Sequence, residues 1–212
     1  MEIGFEFRQL WDVVKQYLKR GREQDLPHTR VCVDFAYRLL EEEGGDRAVV
    51  IPAIMLHDIG YSVIGQPDLY RRTTYFSVYR GETGPNTYSK ELKEAHMIEG
   101  AKLAREILQS LNYETRLIDE IVDIVATHET SSAFPPSTKK INKIIVSDAD
   151  KLFRVTPFNF FDIVKIHGAS EEEAFRYLLD MKDKWFITPT ARMIAEEEIR
   201  KIPNSHRFSS LF

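Results

Sequence analysis

Apolar residues recur every third or fourth position through most of the chain, the spacing of an amphipathic helix. Phe7, Leu10, Val14 and Leu18 outline a first helix, ended near Gly21. Val31, Cys32, Phe35, Leu39 and Leu40 outline a second, ended at Gly44-Gly45. A third runs from Asp46, its N-cap candidate, to His57, and Pro52 should kink it or mark its first turn. Ser89 caps a long helix carrying Leu92, His96, Leu103 and Ile107, and the next spans Thr115 to Glu129. Ile141, Ile144, Ile145, Ala149 and Leu152 mark another. Pro157 opens a short helix through Ile166, and Ser170 with Glu173 forms a capping box. At Thr188-Pro189 an N-cap precedes proline at the first helical position, opening the last helix.

Two stretches break this rhythm. Gly60 to Ser89 is interrupted by Gly65, Pro67, Gly81, Gly84, Pro85 and Asn86, and reads as a long inserted loop. Ser131 to Thr138, with Pro135-Pro136, reads as a second loop. Strand-like alternation is confined to Thr74–Tyr79, which predicts at most a short ribbon. The expected fold is therefore all-α: one domain over residues 1–212, a helical bundle with an insert at about 60–89 and C-terminal helices at about 156–202.

Length and charge narrow the function. A chain of 212 residues can bury a substantial core. A net charge of −4 supplies no overall positive field, so duplex nucleic acid is not expected as a partner. The single cysteine, Cys32, excludes an internal disulfide and fits a reducing, cytoplasmic setting. The N-terminus carries acids where a signal peptide carries lysines. The longest apolar stretch, Ala48 to Leu56, falls far short of the ~20 residues that span a bilayer.

The candidate chemistry lies in the histidines. His28 shares a helical face with Val31, Cys32, Phe35 and Leu39. His57 follows Ala53 and Ile54 by four and three positions and is followed directly by Asp58. His96 lines up with Leu92, Gly100 and Leu103, and His128 with Ile121, Ile124 and Val125. Asp150 follows Val146 and precedes Phe153 on an inward stripe, with Asp148 nearby. One inward histidine is ordinarily a core residue bonded to backbone. Several imidazoles and carboxylates buried without partners would cost several kcal/mol each. A divalent cation would pair them, and nitrogen and oxygen donors suit Mn, Fe, Co, Ni or Mg. His167 and His206 read as surface residues.

This order resembles the HD superfamily of metal-dependent phosphohydrolases, in which a His, a His-Asp pair and a distal Asp are carried on helices. The resemblance rests on LPHTRVCVDFAYRLL, AIMLHDIGY and IIVSDADKL, and YLLDMKDKWFITPTARMIAEE resembles the tail of small stand-alone members. It implies that His28, His57, Asp58 and Asp150 hold a metal, with Asp148 as a competitor for the last position. Some members carry two further histidines that hold a second ion; His96 and His128 match that order, so one or two ions are open. The implied activity is phosphomonoester or phosphodiester hydrolysis by metal-activated hydroxide on a nucleotide or other small phosphorylated metabolite. Asp58 and Lys151 are the implied catalytic residues, Lys151 also meeting the phosphate. Arg71, Arg72 and Arg80 of the insert, among its tyrosines, are candidate substrate contacts. The insert's aromatics equally suit simple packing or a homodimer contact. The Gly-Tyr-Pro signature of the cyclic-diguanylate phosphodiesterase branch does not follow His128. Two other readings remain: a di-iron oxygenase of the same fold, and a non-catalytic nucleotide-binding module.

Overall fold

A computed structural model describes residues 3–65, 68–130 and 141–203. The helices are α1 Arg8–Leu18, α2 Asp25–Glu43, α3 Arg47–Leu56, α4 Tyr61–Ile64, α5 Tyr75–Tyr79, α6 Lys90–Ser110, α7 Thr115–Val125, α8 Ile141–Leu152, α9 Pro157–His167, α10 Glu171–Trp185 and α11 Pro189–Arg200. No strand occurs among the described residues, and the fold is all-α.

Helix α3 is the hub. Every residue from Val49 to Leu56 is buried, because α1, α2, α7 and α8 pack around it. The helix starts where the Asp46 side chain accepts a hydrogen bond from the Ala48 amide at 2.9 Å. It continues through Pro52. The 18-residue window Arg47–Ile64 reaches a mean hydropathy of 1.4, long and apolar enough to cross a membrane by composition alone. Its 72% burial and the chain turn after Leu56 identify it as core instead.

The expected caps form elsewhere too. Ser89 accepts from the Leu92 amide, Ser170 from the Glu173 amide and Thr188 from the Ala191 amide. α6 packs along α7, and the turn after α3 crosses α6 at very close range. A β-carbon at Gly60 would collide with the His96 carbonyl oxygen, so glycine is required there for backbone to lie on backbone. That crossing sets the His57-Asp58 turn against His96.

Three expectations change. The insert is not a structureless loop: it holds α4, a 3₁₀ turn at Arg71–Thr73, and α5. Thr74–Tyr79 is helical rather than a ribbon, with Thr74 as the N-cap of α5. A lone ribbon has no strand to pair with, whereas a helical turn satisfies its own amides and sets Phe76 and Tyr79 against Tyr177, with ring centroids 5.0 Å away in each case. His167 is buried, not superficial, because Phe76 covers its ring at 5.2 Å. The 131–138 loop and His206 lie outside the described residues.

Candidate metal centre

Four segments deliver imidazoles to one point: the first turn of α2 (His28), the end of α3 (His57), the middle of α6 (His96) and the turn after α7 (His128). The His57 Nδ1–H donates to the Ile54 carbonyl at 2.7 Å, and the His128 Nδ1–H to the Val125 carbonyl at 2.8 Å. Each bond closes back on the preceding turn and leaves the Nε2 lone pair facing inward. His28 Nε2 lies 2.9 Å from His57 Nε2, and His96 Nε2 lies 3.3 Å from His128 Nε2.

The carboxylates interleave with these nitrogens. Asp58 Oδ2 is 3.3 Å from both His28 Nε2 and His57 Nε2. Its other oxygen, Oδ1, is 3.5 Å from His96 Nε2. Asp150 Oδ1 is 3.3 Å from His28 Nε2 and 3.7 Å from His57 Nε2. All six side chains are buried. Their donor atoms fall into two groups, His28, His57 and Asp150 with Cys32, and Asp58 with His96 and His128.

The residues fit a cation. Two lone pairs facing each other at hydrogen-bond distance repel unless a proton or a metal lies between them. Burial lowers the basicity of His57, but Asp58 and Asp150 outweigh it and raise its pKa to about 9. Burial alone favours neutral carboxyls at Asp58 and Asp150. His57, with Arg22, reverses this at Asp58, and Arg154, with His28, at Asp150, holding both well below the usual carboxylate range. Burial drives His96 the other way, down to about 3. His96 Nδ1 is buried without a hydrogen-bond partner, its ring stacked on Tyr61 at 4.1 Å.

An open cavity of about 570 Å³, counted out to its mouth, exposes His28, Asp58 and Asp150 on one side. Its cations are residues that periodicity did not single out: Arg22, Lys93 and Arg154. Arg22 donates to Asp58 Oδ2 and to Asp25 Oδ1, each at 2.6 Å, and lies over the Tyr61 ring at 3.7 Å. Lys93 donates to both Glu129 oxygens at 2.8 and 2.7 Å. Arg154 donates to Glu129 and Asp150, each at 3.2 Å. A signal exists in the sequence for two of them, and for the carboxylate they share: Arg154 lies four residues after Asp150, Lys93 three before His96, and Glu129 directly after His128.

Other expected residues sit elsewhere. Lys151 is buried and donates to Ser147 Oγ at 2.9 Å; burial, with Arg154 nearby, brings its pKa down to about 8. It does not line the cavity. The next helical turn of the same segment presents Arg154 instead. Arg71 lines a separate surface groove with Glu82 to Thr87. Arg80 bonds the His167 carbonyl at 2.8 Å and pairs with Glu82 and Glu173, each at 3.2 Å. The Arg72 carbonyl accepts from the Ser89 amide at 2.5 Å, closing the insert onto the start of α6. None of these three arginines lines the cavity; Tyr70 and Tyr75 of the insert do. Asp148 turns away too. It accepts from the Ile187 and Thr188 amides and the Thr188 hydroxyl at 3.0, 2.8 and 2.8 Å, tying down the start of α11. Asp150, not Asp148, faces the imidazoles.

This is an all-helical bundle built around a buried histidine–aspartate cluster. The HD domain family model matches residues 26–154, and the chain belongs to that family. A crystal structure of a predicted HD superfamily hydrolase from an uncultured Thermotogales bacterium has a similar fold, with a TM-score of 0.60 and 19% identity. The likeness covers 97% of this chain and 92% of that one, so it takes in the helices beyond the family match. No curated protein matches the chain.

Proposed function

We propose that the chain is a metal-dependent phosphohydrolase acting on a small phosphorylated substrate, nucleotides included, with one or two divalent ions drawn from Mn, Fe, Co, Ni or Mg. The observation that carries this reading is Asp58, whose two oxygens face the two donor groups separately. His28, His57 and Asp150 would hold one ion, His96 and His128 a second, and Asp58 would join them. A divalent ion in such a site supplies Lewis acidity toward a phosphoryl oxygen and lowers the pKa of water.

The chain's own residues supply the rest. Lys93 and Arg154 would meet the non-bridging phosphate oxygens, and Glu129 aims both cations into the cavity. Arg22 would fix the orientation of Asp58 through the 2.6 Å bond. The Tyr61 ring, between Arg22 and His96, excludes water from behind the cluster. This assignment moves the phosphate-binding role from Lys151 to Lys93 and Arg154. Elemental analysis of the purified protein, followed by a phosphate-release screen across esters and divalent ions, tests the reading. Absence of metal together with absence of turnover on every ester would refute it. The paired donor groups also suit a di-iron oxygenase; two irons per chain with substrate-dependent oxygen uptake would favour that reading.

A further inference from the structure

Beyond the histidine–aspartate cluster, the cavity is also lined by residues of the insert and of α9. Tyr70, from the insert, donates through its hydroxyl to Asn159 Oδ1 on α9 at 3.3 Å. This bond joins two segments that are 89 residues apart and both line the cavity. Asn159 is itself held, its Nδ2 donating to the Arg154 carbonyl at 2.8 Å and its amide to Thr156 Oγ1 at 3.3 Å. Gln24, Thr73 and Thr74 add polar groups to the lining. Of the cavity's about 570 Å³ counted out to its mouth, the space open to the centres of water-sized groups is about 70 Å³. One enclosed water takes roughly 10–15 Å³ on that scale, so the space holds on the order of five water-sized groups. A phosphoryl group with its ester oxygen and a short stem fits within it. Anything larger esterified to that phosphoryl group must extend out of this space, and Tyr70 and Asn159 are part of the lining it would meet.

The geometry points to Tyr70 as the residue that selects substrate size, its bond to Asn159 favouring phosphate monoesters of small alcohols over nucleotides. This rests on the phosphohydrolase reading and narrows it. The lining sets three carboxylates, Asp58, Glu129 and Asp150, beside its three cations, and Phe153, Ile163 and Tyr177 beside its hydroxyls and amides, so size rather than polarity is what it can select.

The test uses the full-length, metal-loaded protein with glycerol phosphate and adenosine 5′-monophosphate as probes. The wild type is expected to favour glycerol phosphate in kcat/KM by about tenfold or more. Tyr70→Ala shifts the ratio of the two kcat/KM values at least about tenfold toward the nucleotide, chiefly through its KM. Tyr70→Phe, which keeps the ring and removes the hydroxyl, shifts it the same way by less, and decides the matter if the alanine variant does not fold. A wild-type preference for the nucleotide, or an unmoved ratio in a folded variant, overturns the role of Tyr70 while leaving phosphate release from either ester as support for the broader reading. No release from either ester, with any ion, overturns both.

Discussion

The two donor groups share burial and residue type but differ in charge environment. His57 faces carboxylate oxygens from Asp58 and Asp150 at 3.3 and 3.7 Å, and its pKa rises to about 9 against the pull of burial. His96 has one carboxylate oxygen within ion-pair distance, from Asp58 at 3.5 Å; burial takes it down to about 3, with Glu129 and Asp58 opposing and His128 and Arg22 assisting. Its other face is covered by Tyr61, which carries Arg22 beyond. Burial therefore decides the protonation state where neighbouring basic groups offset the carboxylates, as His128 and Arg22 do at His96. The His28–His57 side holds a proton where a cation would sit, so a metal there must displace it. The His96–His128 side is already neutral, and a single carboxylate oxygen, from Asp58, lies within ion-pair distance of it. On this comparison the first group would be the stronger cation site and the second the weaker.

Asp58 turns one oxygen toward each group, so its removal should have the largest effect. Asp58→Ala is expected to lose all bound metal and to lower kcat/KM by roughly 10³-fold or more. Full metal stoichiometry in that variant would falsify the shared role. His96→Ala probes the weaker side alone: metal content should fall by half and turnover by about 100-fold. Unchanged content would leave a single-ion site and end the comparison, whereas His57→Ala losing no more metal than His96→Ala would reverse the ranking.

How much of this the sequence disclosed depends on what kind of force placed each residue. Helices came through because their apolar stripes are periodic and their caps are local: Asp46, Ser89, Thr188. The inward histidines came through for the same reason, since a polar residue on an apolar stripe announces its burial. Long-range ion pairs did not. Arg22 reaches Asp58 across 36 residues, and Lys93 reaches Glu129 across 36, with no periodic trace. The arginines of the insert drew attention by composition, yet Glu82 and the distant Glu173 hold Arg80, and the start of α6 claims the Arg72 carbonyl. Asp148 and Asp150 are two residues apart on one helix, and only the position of α11 separates the cap from the cluster.

The cations of the cavity sharpen the comparison between the metal side and the wall facing it. Arg154→Ala should retain metal and lower turnover by about 10- to 100-fold, because it removes the group that joins Asp150 to Glu129. Lys151→Ala, which removes a side chain directed to Ser147, should cost less in turnover than Arg154→Ala. Steady-state kinetics on both variants, with metal content measured alongside, decides between them; a larger loss from Lys151→Ala would restore the phosphate-binding role to that lysine.

The smallest expected effect is a stability difference that depends on both pH and metal. In the metal-free protein the folded His57 titrates near 9, above the ordinary histidine value of 6.5. A raised folded pKa means that the protonated form stabilises the fold. That contribution is complete below about pH 6.5 and disappears as pH rises through about 9. The melting temperature of chelator-treated protein should therefore fall by on the order of 5 °C between pH 7 and pH 10 in excess of any fall in His57→Gln. Metal-loaded protein should not show that excess, because a coordinated imidazole carries no proton to lose. Equal falls in the wild type and His57→Gln, both metal-free, would mean that no proton is held between His28 and His57, and the electrostatic contrast between the two donor groups would then lose its basis.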